Sequence, residues 1–222
     1  METARTVTVA SGDSLQRVFV LRNADNVSLP VDRLVLEAGS MADVTIVVMP
    51  GVSCDLSLTV DLQGSDARCS LQGVCLCPGD EKVSLSVLLN HNMPSCTSSQ
   101  LFKSIAGGSS RVNFSGRIVV ARGAQKTDAT QESHSLLLSD SAKVDSKPQL
   151  EIYADDVKCS HGSTIGRLNE DEQFYMRSRG ITHHEAKVLQ MISFLSPVFA
   201  GIPESAVRDQ ILEETEAAVR RM

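Results

Sequence analysis

The sequence predicts a mainly β body of many short strands, followed by a small helical region. Three observations carry that expectation. Strand-like segments recur about every ten to fifteen residues through the first 166 positions, the spacing of a sandwich, barrel or solenoid. Leu56, Leu58, Val60 and Leu62 alternate with Ser57, Thr59 and Asp61, which gives one buried face and one wet face. After Gly166 the apolar spacing changes to that of helices.

Taken in order, the expected strands are Thr6–Ala10, Arg17–Leu21, Arg33–Leu36, Val44–Met49, Leu56–Leu62, Val83–Leu89, Arg117–Ala121, His134–Leu138 and Leu150–Tyr153. A further strand is expected around Cys159. Turn residues separate them: Ser-Gly-Asp at 11–13, Pro-Gly at 50–51, Pro-Gly-Asp at 78–80 and Gly-Gly-Ser-Ser at 107–110. The chain has neither Asn-Gly nor Asp-Gly, the dipeptides of tight hairpins. Its long Ser-rich stretches therefore fit stacked coils better than hairpins, although no strict hexapeptide repeat is present.

The first helix is expected to be capped by Asn169, with Glu170, Asp171 and Glu172 in its first turn and Gly180 just past its end. The second opens at Thr182 with a capping-box spacing to Glu185 and stops at Ser196-Pro197. The third begins near Pro203, with Val207, Ile211, Leu212 and Val219 on one side and Arg208, Glu213, Glu216 and Arg220 on the other. The organisation is therefore a β core over 1–166 and a helical region over 167–222.

Composition narrows the function. With 222 residues the chain can bury a substantial core. It has no Trp and two Tyr, so aliphatic side chains must fill that core. A net charge of −6 without a basic stripe argues against nucleic acid as a partner. No window reaches the roughly 18 apolar residues of a membrane span, and METARTVTVA holds no export signal. Six cysteines (54, 69, 75, 77, 96 and 159) are then expected to stay reduced in a cytosol.

Cys159 and His161 stand two apart on an expected strand, so thiol and imidazole project to one side. Such a pair suits thiolate-bound metal or sulfur chemistry. The stretch around them, KPQLEIYADDVKCSHGSTIGRLNEDEQFYMRSRGI (147–181), together with FSGRIVVARGAQKTDATQESHSLLLSDSAKVDS (114–146), resembles the core of the SufB/SufD family. These are the scaffold proteins of the SUF iron–sulfur cluster assembly system. KCSHG and RSRGI are closer to the family's D component than to its B component.

That resemblance implies a right-handed parallel β-helix-like core with a C-terminal three-helix appendage. It implies a non-enzymatic, cytoplasmic scaffold that pairs with a SufB-like subunit, or with itself, and binds a SufC-like ATPase. Cys159 and His161 become the cluster- or sulfur-related candidates, with iron as the implied metal. The cofactor implied is at most a transient iron–sulfur cluster shared with the partner subunit. The helical tail is implied to dock the ATPase, and Val207, Ile211 and Leu212 are its candidate contacts. Family members are longer, with an N-terminal helical region, so this chain is expected to be a truncated or short member.

Other residues are weighed against that reading. Cys75 and Cys77 share a strand face, but with only Cys69 and His91 near in sequence they fit core packing better than zinc. Cys54 and Cys96 carry no assignable role. His183 and His184 are adjacent on a helix and point about 100° apart, so they cannot converge on one ion. Asp155 and Asp156, with Lys158, would suit a β-solenoid enzyme acting on carbohydrate, and a purely structural solenoid is the third alternative. The 107–110 turn lacks the Gly-Lys-Ser/Thr of a phosphate loop, so ATP hydrolysis would come from a partner.

Overall fold

The computed structural model describes residues 5–22, 28–203 and 205–222. Over these the chain forms twelve strands and three helices. The strands are β1 (Thr6–Val9), β2 (Ser14–Leu21), β3 (Arg33–Leu36), β4 (Met41–Val48), β5 (Cys54–Leu62) and β6 (Arg68–Cys77). They continue as β7 (Lys82–His91), β8 (Thr97–Ala106), β9 (Arg111–Val120), β10 (Asp128–Leu137), β11 (Lys143–Ile152) and β12 (Lys158–Gly166). The helices are α1 (Glu170–Ser178), α2 (His183–Ala200) and α3 (Ala206–Val219).

Successive strands alternate between two six-stranded sheets, one ordered β1-β3-β5-β7-β9-β11 and the other β12-β10-β8-β6-β4-β2. Every pairing is parallel. The result is a stacked β-solenoid of about five turns. The coil length is not fixed: Met41 pairs with Arg68, 27 positions on, whereas Thr97 pairs with Asp128, 31 positions on. Turns stack tightly at the corners. A Cβ on Gly64 would fall 1.9 Å from the backbone nitrogen of Ala38, so only glycine fits there.

Two separate cores follow from the side-chain alternation. Inward residues of both sheets, among them Leu36, Leu56, Leu58, Leu71, Leu89 and Ile118, fill the space between the sheets. Outward residues of the second sheet, Val47, Val74, Leu76 and Ile105, are covered by Val188, Met191, Leu195, Val198 and Phe199 of α2. Strands buried on both faces read as continuous apolar runs, which accounts for TIVV in β4 and VCLC in β6. The first sheet instead presents a polar outer row that includes Asp55, Ser84, Ser86, Asn113 and Ser115.

Several sequence expectations need correction. β8 lies outside the expected strands, and of β6 the sequence shows only the end at Cys75–Cys77. β6 carries Gly73 among its inward residues, and β8 turns Ser98, Gln100 and Ser104 inward, so neither shows a clean apolar alternation. Pro197 does not end the second helix: α2 runs through it to Ala200. Proline cannot donate to the Ser193 carbonyl four residues back. Ser196 Oγ donates to that carbonyl instead, at 3.0 Å, and burial of Val198 and Phe199 holds the last turn in place. The third helix starts at Ala206, capped by Ser205, rather than near Pro203. α1 follows its expected signals, with Asn169 accepting from the Asp171 and Glu172 amides and Gly180 at φ +88°.

One lumen residue makes a pH prediction. His91 is fully buried, with Nε2 2.8 Å from Ser98 Oγ, and burial lowers its pKa to about 4. In the unfolded chain its pKa is about 6.5. Between those values the unfolded state binds a proton that the folded state refuses. Stability should therefore fall by up to about 3 kcal/mol as pH drops from 6.5 to 4, then level off for this group. Urea unfolding of the native chain and of His91→Gln over that range checks it: the substitution should flatten the decline, and equal slopes would refute the assignment.

Candidate functional site

The stack ends at β11 and β12, which are the outermost strands of their sheets. At this end the last coil exposes side chains that deeper coils bury. β12 pairs with β10 in register, Ala129 opposite Cys159 and Gln131 opposite His161. Ala129 and Gln131 are both buried in the lumen. Registered parallel neighbours share a face, so Cys159 and His161 lie on the lumen face of β12, at the mouth of the stack. Cys159 is half-buried against the inner core, and His161 is exposed. Lys158 registers with Asp128 on the outer face. That face of β12 is tied to β10 by His134 Nδ1 and Thr164 Oγ1 at 2.8 Å.

The electrostatics constrain what Cys159 can do. Burial raises its pKa, the Asp128 charge raises it further, and a backbone hydrogen bond from Ala129 offsets part of the shift. The thiol is thus protonated near neutral pH, and a thiolate role requires a cation or metal brought close. Among the described residues, no group of three or more His, Cys, Asp or Glu side chains is placed to hold a metal ion. Cys159 and His161 offer two ligands, and iron sites of this kind use about four.

The other cysteines face the lumen or the corners. Cys69, Cys75 and Cys77 are buried on β6, and burial pushes Cys69 and Cys75 up to about 12 and Cys77 higher still. The spatial companions of Cys75 and Cys77 are Cys54 and, for Cys77, Glu81, not the pair suggested by sequence proximity. Cys54 opens β5. Cys96 Sγ donates to the Gly64 carbonyl at 3.2 Å. These thiols behave as small core hydrophobes. Asp155 and Asp156 are exposed between β11 and β12, where the Asp156 amide donates to Gln125 Oε1 at 2.8 Å. His183 Nε2 sits 3.1 Å from Gln173 Oε1.

The tail residues are placed differently from expectation. Ile211 is 1% exposed and Leu212 packs partly against the same core. Ile211 in particular is committed to holding the tail on the sheet and is not available to a partner. Val207 is 57% exposed. The open apolar surface lies elsewhere, in a groove of about 870 Å³ between α1 and α2 lined by Tyr175, Met176, Leu189, Ser193 and Phe194, with Asp171 and Glu172 on its wall. Tyr175 and Leu189 are exposed there. Sequence reading missed the groove, although α1 holds two of the chain's eight aromatic residues, Phe174 and Tyr175, outside any apolar stripe. It also missed Gln100 and Gln131, a buried polar pair joined at 3.0 Å.

No described helix is long and apolar enough to cross a membrane. Comparison with known proteins converges on one family. Residues 5–194 match the family model described as SUF system FeS cluster assembly, SufBD core domain. The chain is 32% identical over 208 residues to iron–sulfur cluster assembly protein SufD of Escherichia coli, covering 93% of this chain and 49% of that protein. It is 37% identical over 107 residues to SufD of Bacillus subtilis, covering 48% and 24%. Over 150 residues it is 41% identical to the chloroplastic protein ABCI7 of Arabidopsis thaliana, covering 66% and 31%. The chain thus spans about half the length of the Escherichia coli relative and less of the other two.

Proposed function

Because the chain belongs to the SufBD core family of the SUF iron–sulfur cluster assembly system, we propose that it is a D-type scaffold subunit, itself without catalytic activity. The open end pairs with a SufB-like subunit, or with a second copy, through the unpaired strands β11 and β12. The single observation that carries this is the placement of Cys159 and His161 together on the lumen face of an unpaired edge strand. An edge strand left open invites pairing, and a two-ligand set calls for a partner's ligands. Pairing would supply the remaining donors for iron and a charge environment in which Cys159 ionises. The cluster is cargo passing through this interface rather than a resident cofactor.

The helical tail would dock a SufC-like ATPase, through the α1–α2 groove rather than through Ile211. ATP-driven closure of two such ATPases would strain the subunit interface and open the Cys159–His161 end to iron and sulfur. Six unpaired cysteines suit a reducing compartment such as the cytosol.

The test is genetic and spectroscopic. In cells that depend on this protein, combined Cys159→Ala and His161→Ala should reduce the activity of iron–sulfur enzymes at least about tenfold, with protein level and subunit pairing retained. The size follows the usual effect of losing metal-site residues. Anaerobic reconstitution with iron and sulfide should give cluster absorbance only with the partner subunit present. Undiminished assembly by the double variant would remove the site.

A further inference from the structure

Inside the lumen, next to the candidate site, Gln131 Nε2 donates to Gln100 Oε1 at 3.0 Å. Both side chains are buried, and their residues are registered neighbours on β10 and β8. Two atoms of this pair remain buried without a partner among the described residues: Gln100 Nε2 and Gln131 Oε1. They are the two ends of a two-rung amide ladder, a free N–H at one end and a free carbonyl at the other. Continuing past Gln131, the next rung in register is His161. A buried carbonyl without a donor has lost its water and gained nothing in return, so such a group calls for a partner. The imidazole one strand away, about 4.8 Å along the sheet, is the next registered donor; in this structure it is exposed and makes no hydrogen bond to Gln131. The space for this amide is made from the opposite sheet. A Cβ on Gly116 of β9 would fall 2.1 Å from Gln131 Nε2.

We propose that Gln131 is a positioning residue for His161: when the exposed imidazole turns into the lumen mouth, the unpartnered Gln131 carbonyl accepts its N–H and holds the ring in one tautomer. The nitrogen left bare then faces outward, where a metal or a proton can reach it. An imidazole that donates one N–H to a fixed acceptor presents its other nitrogen in a defined direction. The consequence for cluster assembly rests on the functional reading of His161 given above; the hydrogen bond itself does not.

The two are separable by experiment. In the full chain labelled with ¹⁵N-histidine, the ring nitrogens of His161 are read above pH 8, assigned by difference with His161→Gln. Native chain should show one nitrogen of N–H type and one bare. Gln131→Met should move both toward averaged values, whereas Gln100→Met, which disrupts the ladder one rung away, should leave His161 unchanged. Gly116→Ala, which displaces the amide without replacing Gln131, should act like Gln131→Met and serves if that variant does not fold. Unchanged His161 shifts in Gln131→Met or Gly116→Ala, or an equal change in Gln100→Met, would overturn the proposal. In cells Gln131→Met should lower cluster-enzyme activity about tenfold. If the tautomer changes while His161→Ala is harmless in cells, the positioning stands and the functional reading of His161 fails.

Discussion

Replacing Ile211 with Asp should release α3 from the body at a cost of about 4 kcal/mol or more, while leaving the solenoid folded. The size comes from two terms, the lost burial of a fully enclosed aliphatic side chain and the burial of an unpaired carboxylate. The selectivity comes from the two cores. Ile211 belongs to the one between the helices and the outer face of the second sheet, and the lumen core shares none of its buried residues. Nor can the surface hold the helix. Arg22 pairs with Glu214, and Arg220 with Glu185 and Glu216, but pairs this exposed contribute about 0–1 kcal/mol each. Amide exchange should therefore show protection lost over 206–219 and retained in β4 through β10. Simultaneous loss in the strands would mean that helices and solenoid unfold as one unit, and the two-core description would be wrong.

The fold was legible where chemistry and period agreed. Leu56 to Leu62 alternate because one face of β5 is buried; the other is wet at Asp55 and Ser57 but closes over Asp61, which is 3% exposed and paired with Arg33. Cys159 and His161 could be placed on one face from their spacing alone, since a strand repeats every two residues. The neighbour relations between coils were not legible. With coil lengths ranging from 26 positions (Arg33 to Thr59) to 32 (Arg111 to Lys143), no fixed repeat aligns Gln100, Gln131 and His161 in the sequence. The inward polar residues hid β8 and the first half of β10, because Ser104 and Ser135 satisfy one another at 2.7 Å in a place where an apolar residue is expected. On α3, Val207, Ile211 and Leu212 look equivalent by helical spacing. Only the underlying sheet decides that Ile211 is enclosed and Val207 is not. Periodicity gives the side of a helix, not the extent of the surface beneath it.

The α1–α2 groove carries the second large expected effect. If the proposed docking of a SufC-like ATPase holds, Leu189→Glu combined with Tyr175→Ala should weaken it on the order of 1000-fold, because losing a central aromatic or aliphatic anchor costs about 2–4 kcal/mol each at an interface. Folding should be nearly unchanged, within about 1 kcal/mol, since both side chains are exposed and neither enters a buried core. Asp171 and Glu172 on the groove wall add a charge component, so native binding should also weaken with added salt if the partner presents a basic surface. Calorimetric titration of the purified ATPase into native and substituted chains measures all three. Val207→Glu is the discriminating companion. It charges the exposed start of α3 and should leave binding intact. If Val207→Glu abolishes binding while the groove variant binds normally, the ATPase docks on α3, and the groove between α1 and α2 is a surface without that role.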